Sequence, residues 1–352
     1  MTPARPPVII KFTCPTEIVG AMPTFVGFHP AESLVLMCLR GPRKRNGMTM
    51  RADLPDALHH RVMAADLASR AAADKAGTAI LVCYTCAPDV DGRLPRQDLI
   101  DEQVEQLRRR TIGVTEALLV RDGRWYSYSC HKDCCPRIGT LIPERPSGTL
   151  AQLAAESALN GRVILGSREE LEASVRGPVA FRLVAMEQVF DLVDATLAAE
   201  MAAEGLDRVA TRTVALAREA FGRFVDGNRD LDDAGAARIV LGLHDKLPRD
   251  ELTTWPIDGH GGELIAFFAD LAQRTPDYAA APICTVLAAA AYQEGHGALT
   301  GIALERALRA DPFYEMARLY TTGLADQVPP ERIRKLSRDV RKDLRRRGRR
   351  AS

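Results

Sequence analysis

Thr78-Ala79-Ile80-Leu81-Val82-Cys83-Tyr84 is apolar or β-branched at almost every position, which is the pattern of a strand buried on both faces. Asp98 to Arg110 follows as a charged segment with Leu99, Ile100, Val104 and Leu107 near helical spacing, and Ile112 to Val120 is a second strand-like run. A strand–helix–strand succession with so long a crossover makes the two strands parallel. Arg121-Asp122-Gly123-Arg124 is a tight Asp-Gly turn into Trp125 to Ser129, so the next strand returns antiparallel. The sheet is therefore mixed.

The pattern extends on both sides of this centre. Val8-Ile9-Ile10 and Ser33 to Leu39 read as buried strands, and Thr16 to Phe25 as a short helix capped by Thr16. Met48 to Ala52 is a partner strand reached through Gly41 to Gly47, whose Asn46-Gly47 pair is a hairpin signal. Pro55 opens a helix to about Lys75 with Leu58, Val62, Met63 and Leu67 as its apolar face, and Gly77 ends it. After Thr149 the only strand-like run is Val163-Ile164-Leu165. Ala-rich helical segments take over at about 149–159, 168–174, 179–204, 206–226, 231–245, 262–273, 280–294, 297–309 and 313–324.

The fold class expected is an α/β domain with a mixed sheet and helices over residues 1–147, then an all-α helical domain over 148–328. The boundary is set where Pro143 to Gly148 cluster Pro, Ser and Gly. Residues 288–314 resemble one tetratricopeptide-like hairpin, with Leu287, Ile302, Leu304 and Leu308 among its core positions. A single copy is short of the three or so that a stacked array needs, so this is a helix pair inside a bundle. Residues 329–352 form a basic C-terminal helix or tail.

The 352 residues are 46% hydrophobic and 26% charged, enough apolar surface for a core in each of two domains. Aromatics at 5% mean that packing rests on Ala, Leu and Val. Met1 to Lys11 lacks the apolar length of an export signal, and Ala279 to Tyr292 falls short of a membrane span. The expectation is a cytoplasmic protein with no membrane partner, whose eight cysteines are thiols or metal ligands before they are disulfides.

Cys130-His131-Lys132-Asp133-Cys134-Cys135-Pro136 puts three thiols and an imidazole within six residues, directly after a strand. Three readings of it stand side by side. Cys130, Cys134, Cys135 and His131 are candidate zinc ligands, although adjacent cysteines chelate one ion awkwardly and another segment would complete the tetrahedron. Cys134 and Cys135 can instead exchange with Cys130 as a redox pair. The bland reading is small, soft residues packing a tight turn. Cys83 and Cys86 are not expected to join them, because the antiparallel return carries Cys130 to the opposite end of the sheet, roughly 20 Å away. His29 and His260 have no spaced partner, and the chain contains neither a Gly-x-Ser-x-Gly elbow nor a phosphate-cradling Gly-Lys-Ser/Thr loop.

Glu331 to Arg350 holds eleven basic and three acidic residues, a local charge of +8 in a chain of net +1, so the remainder carries −7. Ile333, Leu336, Val340 and Leu344 draw an apolar stripe along this helix. Arg338, Arg341, Lys342, Arg345, Arg346, Arg347, Arg349 and Arg350 are the candidate nucleic-acid contacts. No aromatic interleaves them, so base stacking is not indicated. A solvated terminal helix is the bland alternative.

Four stretches resemble the domain-of-unknown-function family 4192 (DUF 4192): Gly27 to Val35, Arg51 to Pro55, Trp125 to Cys130 leading to Cys134-Cys135-Pro136, and Gly297-Ala298-Leu299 leading to Ala310 to Tyr314. They keep the family's order from about residue 15 to 325. The resemblance implies an actinobacterial source and assigns no activity, cofactor or active-site residue. The Cys83-Tyr84-Thr85-Cys86 pair departs from the family pattern. The leading expectation is a non-enzymatic interaction protein with an as yet unknown protein partner and an electrostatic nucleic-acid contact through the tail. The alternative is a thiol- or zinc-dependent enzyme centred on the Cys130 to Cys135 loop.

Overall fold

The computed structural model describes residues 10–130, 132, 134–159 and 164–351. The chain divides into two compact units, Met1–Arg168 and Glu169–Ser352.

The first unit holds a six-stranded sheet in the order β2-β1-β3-β4-β5-β6. The strands are β1 (Ser33–Arg40), β2 (Arg45–Asp53), β3 (Thr78–Tyr84), β4 (Gly113–Arg121), β5 (Arg124–Ser127) and β6 (Thr140–Leu141). β3 and β4 pair in parallel and the other neighbours are antiparallel, so the sheet is mixed. Alternation sends Val35, Met37, Val82 and Leu118 to one face and Leu34, Leu36, Leu81 and Leu119 to the other. On the first face lies α1 (Pro15–Val26), through Val19 and Met22. The second is covered by α2 (His60–Ala73) and α3 (Gln97–Arg108), through Leu67, Ala68, Ile100 and Leu107. α4 (Thr149–Leu159) packs on α1, with Leu150 over Gly20.

Several local expectations shift. The first hairpin turns at Gly41 to Lys44, where Lys44 takes a left-handed φ of 47° and its N–H closes on the Gly41 carbonyl at 3.1 Å. Asn46 instead lies in β2 opposite Leu39, beside a register shift. The N-cap of α1 is Cys14, not Thr16, and the Thr16 hydroxyl accepts the Trp125 indole N–H at 2.9 Å. α2 keeps part of its expected face: Met63 and Leu67 pack on the core beside Ala64, Ala68 and Ala71, whereas Val62 and, in the turn before the helix, Leu58 are exposed. Of Val8-Ile9-Ile10 only Ile10 falls within the described residues, and it is not in a strand. Val163 is likewise outside them, while Leu165 makes an isolated bridge to Phe28.

α5 (Arg168–Ala173) begins on the last residue of the first unit and otherwise belongs to the second. The second unit comprises α6 (Ala180–Glu204), α7 (Leu206–Val225), α8 (Asp233–Gly242), α9 (Lys246–Thr253), α10 (Gly261–Gln273), α11 (Ala280–Gln293), α12 (Gly297–Ala310), α13 (Glu315–Ala325) and α14 (Pro330–Ala351). α11 is buried at every position, as befits a helix that is apolar all round. It pairs with α12 as the sequence predicts and sits among α9, α10, α13 and α14 as one part of a bundle.

Candidate functional site

The loop after β5 begins with the Ser127 hydroxyl accepting the N–H groups of Ser129 at 3.3 Å and Cys130 at 2.9 Å, which turns the chain out of the strand. Two backbone closures follow, Cys135 N–H to Lys132 C=O and Gly139 N–H to Pro136 C=O, both 2.8 Å. Gly139 (φ 71°) returns the chain to β6, and a Cβ there would meet the Tyr126 ring at 2.6 Å. Both the left-handed φ and the ring demand glycine. Gly139→Ala is expected to cost about 2 kcal/mol or more. Hydrogen exchange at β5 and β6 measures it, and protection unchanged from wild type would refute this account of the turn.

These turns gather the sulfurs of Cys130, Cys134 and Cys135 within 4.8 Å of one another, with Cys130 Sγ and Cys134 Sγ 3.7 Å apart. The sulfurs of the adjacent Cys134 and Cys135 thus both lie near that of Cys130. His131 and Asp133 lie outside the described residues. Cys134 is exposed and the other two are half-buried, with Cys135 packed against the core shared with α1. The Lys132 backbone N–H, then the two neighbouring thiols, hold the Cys130 thiol below the usual thiol range. Burial, reinforced by hydrogen bonds from those thiols, pushes Cys135 up. Cys130 therefore ionises before Cys135.

Cys83 lies on the opposite sheet face, in the core with α2 and α3, where burial pushes its thiol up to about 11. β5 is only four residues long, so the offset along the strands is smaller than a six- or seven-residue strand would give. The sheet itself separates Cys83 from Cys135. The Cys86 N–H binds the Glu32 carboxylate at 2.9 Å. Among the described residues, the Cys130–Cys134–Cys135 trio is the one group of three or more such donors that converges.

Beside the loop, α3, Ala117, Tyr128 and Ser129 line an open groove of about 260 Å³. Its carboxylates are engaged: Asp101 pairs with Arg93 at 2.9 Å, and Glu105 with Arg108 and Arg109, both at 2.8 Å. Hydrogen bonds from Arg108 and Arg109 pull Glu105 down to about 2, so it stays ionised at neutral pH. The Tyr128 hydroxyl donates to Pro95 C=O at 2.8 Å. His29 is exposed, and His260 is also solvent-facing, with Nδ1 3.8 Å from Glu263.

The second candidate site is α14. Ile333 and Ser337 are buried, and Arg341 is the next residue at a spacing of four. Arg341 sends Nε to the Thr254 hydroxyl at 3.1 Å, Nη2 to the Thr254 carbonyl at 2.5 Å and Nη1 to Asp258 at 2.5 Å. Thr254 caps the C-terminal end of α9, where a cation is favoured. The docked face therefore runs through Ile333, Ser337 and Arg341. Leu336 and Val340, expected to dock, are exposed, because these charge-assisted bonds set the rotation of the helix. Arg338, Lys342, Arg345 and Arg346 face solvent. Lys342 and Arg346 each lie near an aspartate one turn back, at 3.4 and 3.5 Å. Arg347, Arg349 and Arg350 lie in the last turns of α14.

Among the described residues no helix is long and apolar enough to cross a membrane. A family model described as a domain of unknown function, DUF4192, matches residues 15–331. No curated protein and no solved structure matches the chain.

Proposed function

The chain belongs to the DUF4192 family, and from that premise we propose a non-enzymatic interaction protein that contacts nucleic-acid phosphates through α14. One observation carries this reading. Arg341, Ser337 and Ile333 anchor α14 to its own unit, while Arg338, Lys342, Arg345 and Arg346 stand on exposed positions. An anchored helix presents its cations without the full ordering cost of a free tail. All but the first two residues of α14 lie beyond the matched region, so this contact would be an addition to the family domain. The groove beside the cysteine loop favours the non-enzymatic reading, since its two carboxylates are held in arginine pairs.

The test is fluorescence anisotropy with labelled duplexes of unrelated sequence. Near-equal affinities are expected, because phosphate contacts carry no sequence information. Affinity lost on neutralising the four exposed cations supports the reading, and affinity unchanged by that substitution overturns it.

A further inference from the structure

We propose that Cys130, Cys134 and Cys135 form a three-thiolate site for a thiophilic divalent cation, zinc. It lies in the other unit from α14 and is independent of the nucleic-acid reading. The argument begins with distance. Zinc–sulfur bonds of about 2.3 Å in a tetrahedron place sulfurs about 3.8 Å apart. Cys130 Sγ and Cys134 Sγ are 3.7 Å apart, and the third sulfur is within 4.8 Å of both. A disulfide instead requires about 2.05 Å. Bringing the third sulfur from at most 4.8 Å to tetrahedral spacing takes a shift of about 1 Å or less.

The backbone supplies the second argument. Among the described residues from Ser129 to Gly139 there is no helix or strand, and the ties include two turn closures, the Ser127 hydroxyl and an Arg124 Nη1 bond to the Gly139 carbonyl at 3.0 Å. Such a loop gains from a cross-link, and a cation joining residues 130, 134 and 135 would close the segment from Cys130 to Cys135 around one point. The third argument is access. Cys134 is exposed and Cys130 half-buried, so an ion enters without opening the core. Cys135, packed against the α1 face, ties the ion to the sheet.

Binding is balanced by proton release: each thiol gives its proton to water as its sulfur bonds to the metal, and no oxidant is involved. Three protein sulfurs leave one tetrahedral position for water or a fourth donor. Zinc is chosen over calcium or magnesium because those ions take oxygen ligands.

The test uses the full chain purified without an affinity tag. Elemental analysis is expected to find one zinc per chain, and X-ray absorption to find sulfur neighbours at about 2.3 Å. Stripped protein titrated with cobalt(II) alone should develop thiolate-to-metal charge-transfer absorption that saturates at one equivalent. In wild-type protein, zinc should protect these three cysteines from alkylation, mapped by mass spectrometry, while Cys14 and Cys86, both exposed, stay reactive. Cys130→Ser should abolish the cobalt absorption, and Cys86→Ser should leave it intact. The alkylation map needs no variant, so a misfolded Cys130→Ser leaves the question answerable. Absence of the charge-transfer band, alkylation unaffected by zinc, or a disulfide within the trio in protein prepared under reducing conditions would each overturn the site.

Discussion

Arg306→Ala is expected to destabilise the helical unit by about 3–5 kcal/mol, the range for breaking a buried, fully bonded charge. The Arg306 side chain is 6% exposed. Its Nη1 donates to the carbonyls of Val175 at 2.6 Å and Ala272 at 2.7 Å, its Nη2 to Thr275 at 2.6 Å, and its Nε to Asp277 at 3.1 Å. Ala272 lies in the last turn of α10 and Thr275 two residues past its end, where carbonyls run short of partners within the helix. Alanine would leave the Val175 and Thr275 carbonyls unpaired, each worth about 1–3 kcal/mol, while the Ala272 carbonyl keeps the Thr275 N–H at 3.1 Å. Gly177 shows how tightly the guanidinium is held: a Cβ there would lie 2.8 Å from the Thr275 carbonyl and collide with Arg306. Arg306→Met restores volume without donors and is expected to rescue less than about 1 kcal/mol. Asp277→Asn should cost less than about 1 kcal/mol, since that carboxylate is 71% exposed. Hydrogen exchange in α10 and α12 is the readout, because a two-unit chain need not unfold in one transition. At tenfold per 1.4 kcal/mol, protection should fall by roughly a hundred- to several-thousand-fold. A fall below about tenfold would mean that water satisfies these carbonyls.

Arg306 illustrates what a sequence conceals. It sits on an amphipathic helix as one arginine among forty, and nothing local distinguishes a buried guanidinium from a solvated one. The partners that decide its role come from two separate segments, Val175 and residues 272–277. The same limit applies to α14, where Ile333, Leu336, Val340 and Leu344 are the visible stripe and Arg341 sets the rotation through Thr254 and Asp258. It applies again to α2, where three alanines share the buried face with Leu67 while the larger Val62, and Leu58 just before the helix, are left outside. Apolar periodicity weights side chains by size, whereas close packing of a helix on a sheet and a neighbouring helix favours small ones.

What was legible is equally physical. β1 and β3 are apolar through nearly every residue because both faces of the central sheet are covered, so no alternation was needed to find them. The crossover through α3 forced β3 and β4 to be parallel, and Asp122-Gly123 forced β5 to return. α9 is hidden in the sequence because Pro248 reads as a breaker. It falls in the first turn, after the Asp245 cap, where proline's missing N–H has no partner to lose. The cysteine loop was legible as a composition. Its convergence was not, because the backbone closures between Lys132 and Cys135 and between Pro136 and Gly139 decide where the sulfurs point.

Raising salt from 50 to 200 mM is expected to weaken nucleic-acid binding by roughly 150-fold, if about four phosphates are neutralised at a slope near −0.9 each. The number of contacts follows from the exposed set Arg338, Lys342, Arg345 and Arg346. Arg341 is excluded because its donors are committed to Thr254 and Asp258. The Asp339 and Asp343 pairs on Lys342 and Arg346 are exposed and worth little, so phosphate can displace them. Engagement of Arg347, Arg349 and Arg350 would steepen the slope further. The rest of the chain, at −7, repels phosphate and adds no compensating attraction. Truncation before residue 331 is a poor test, because it removes the Ile333, Ser337 and Arg341 anchor and uncovers part of the bundle. Substituting glutamine at 338, 342, 345 and 346 keeps the anchor and removes the charges. That variant should lose specific salt dependence and nearly all affinity while exchange protection in α9 and α11 stays as in wild type. Arg341→Ala should do the reverse, loosening the helix while leaving the salt slope close to its wild-type value. Binding that survives the four-site variant, or that scarcely responds to salt, rules out α14 and turns attention to the Arg43-Lys44-Arg45 turn of the other unit.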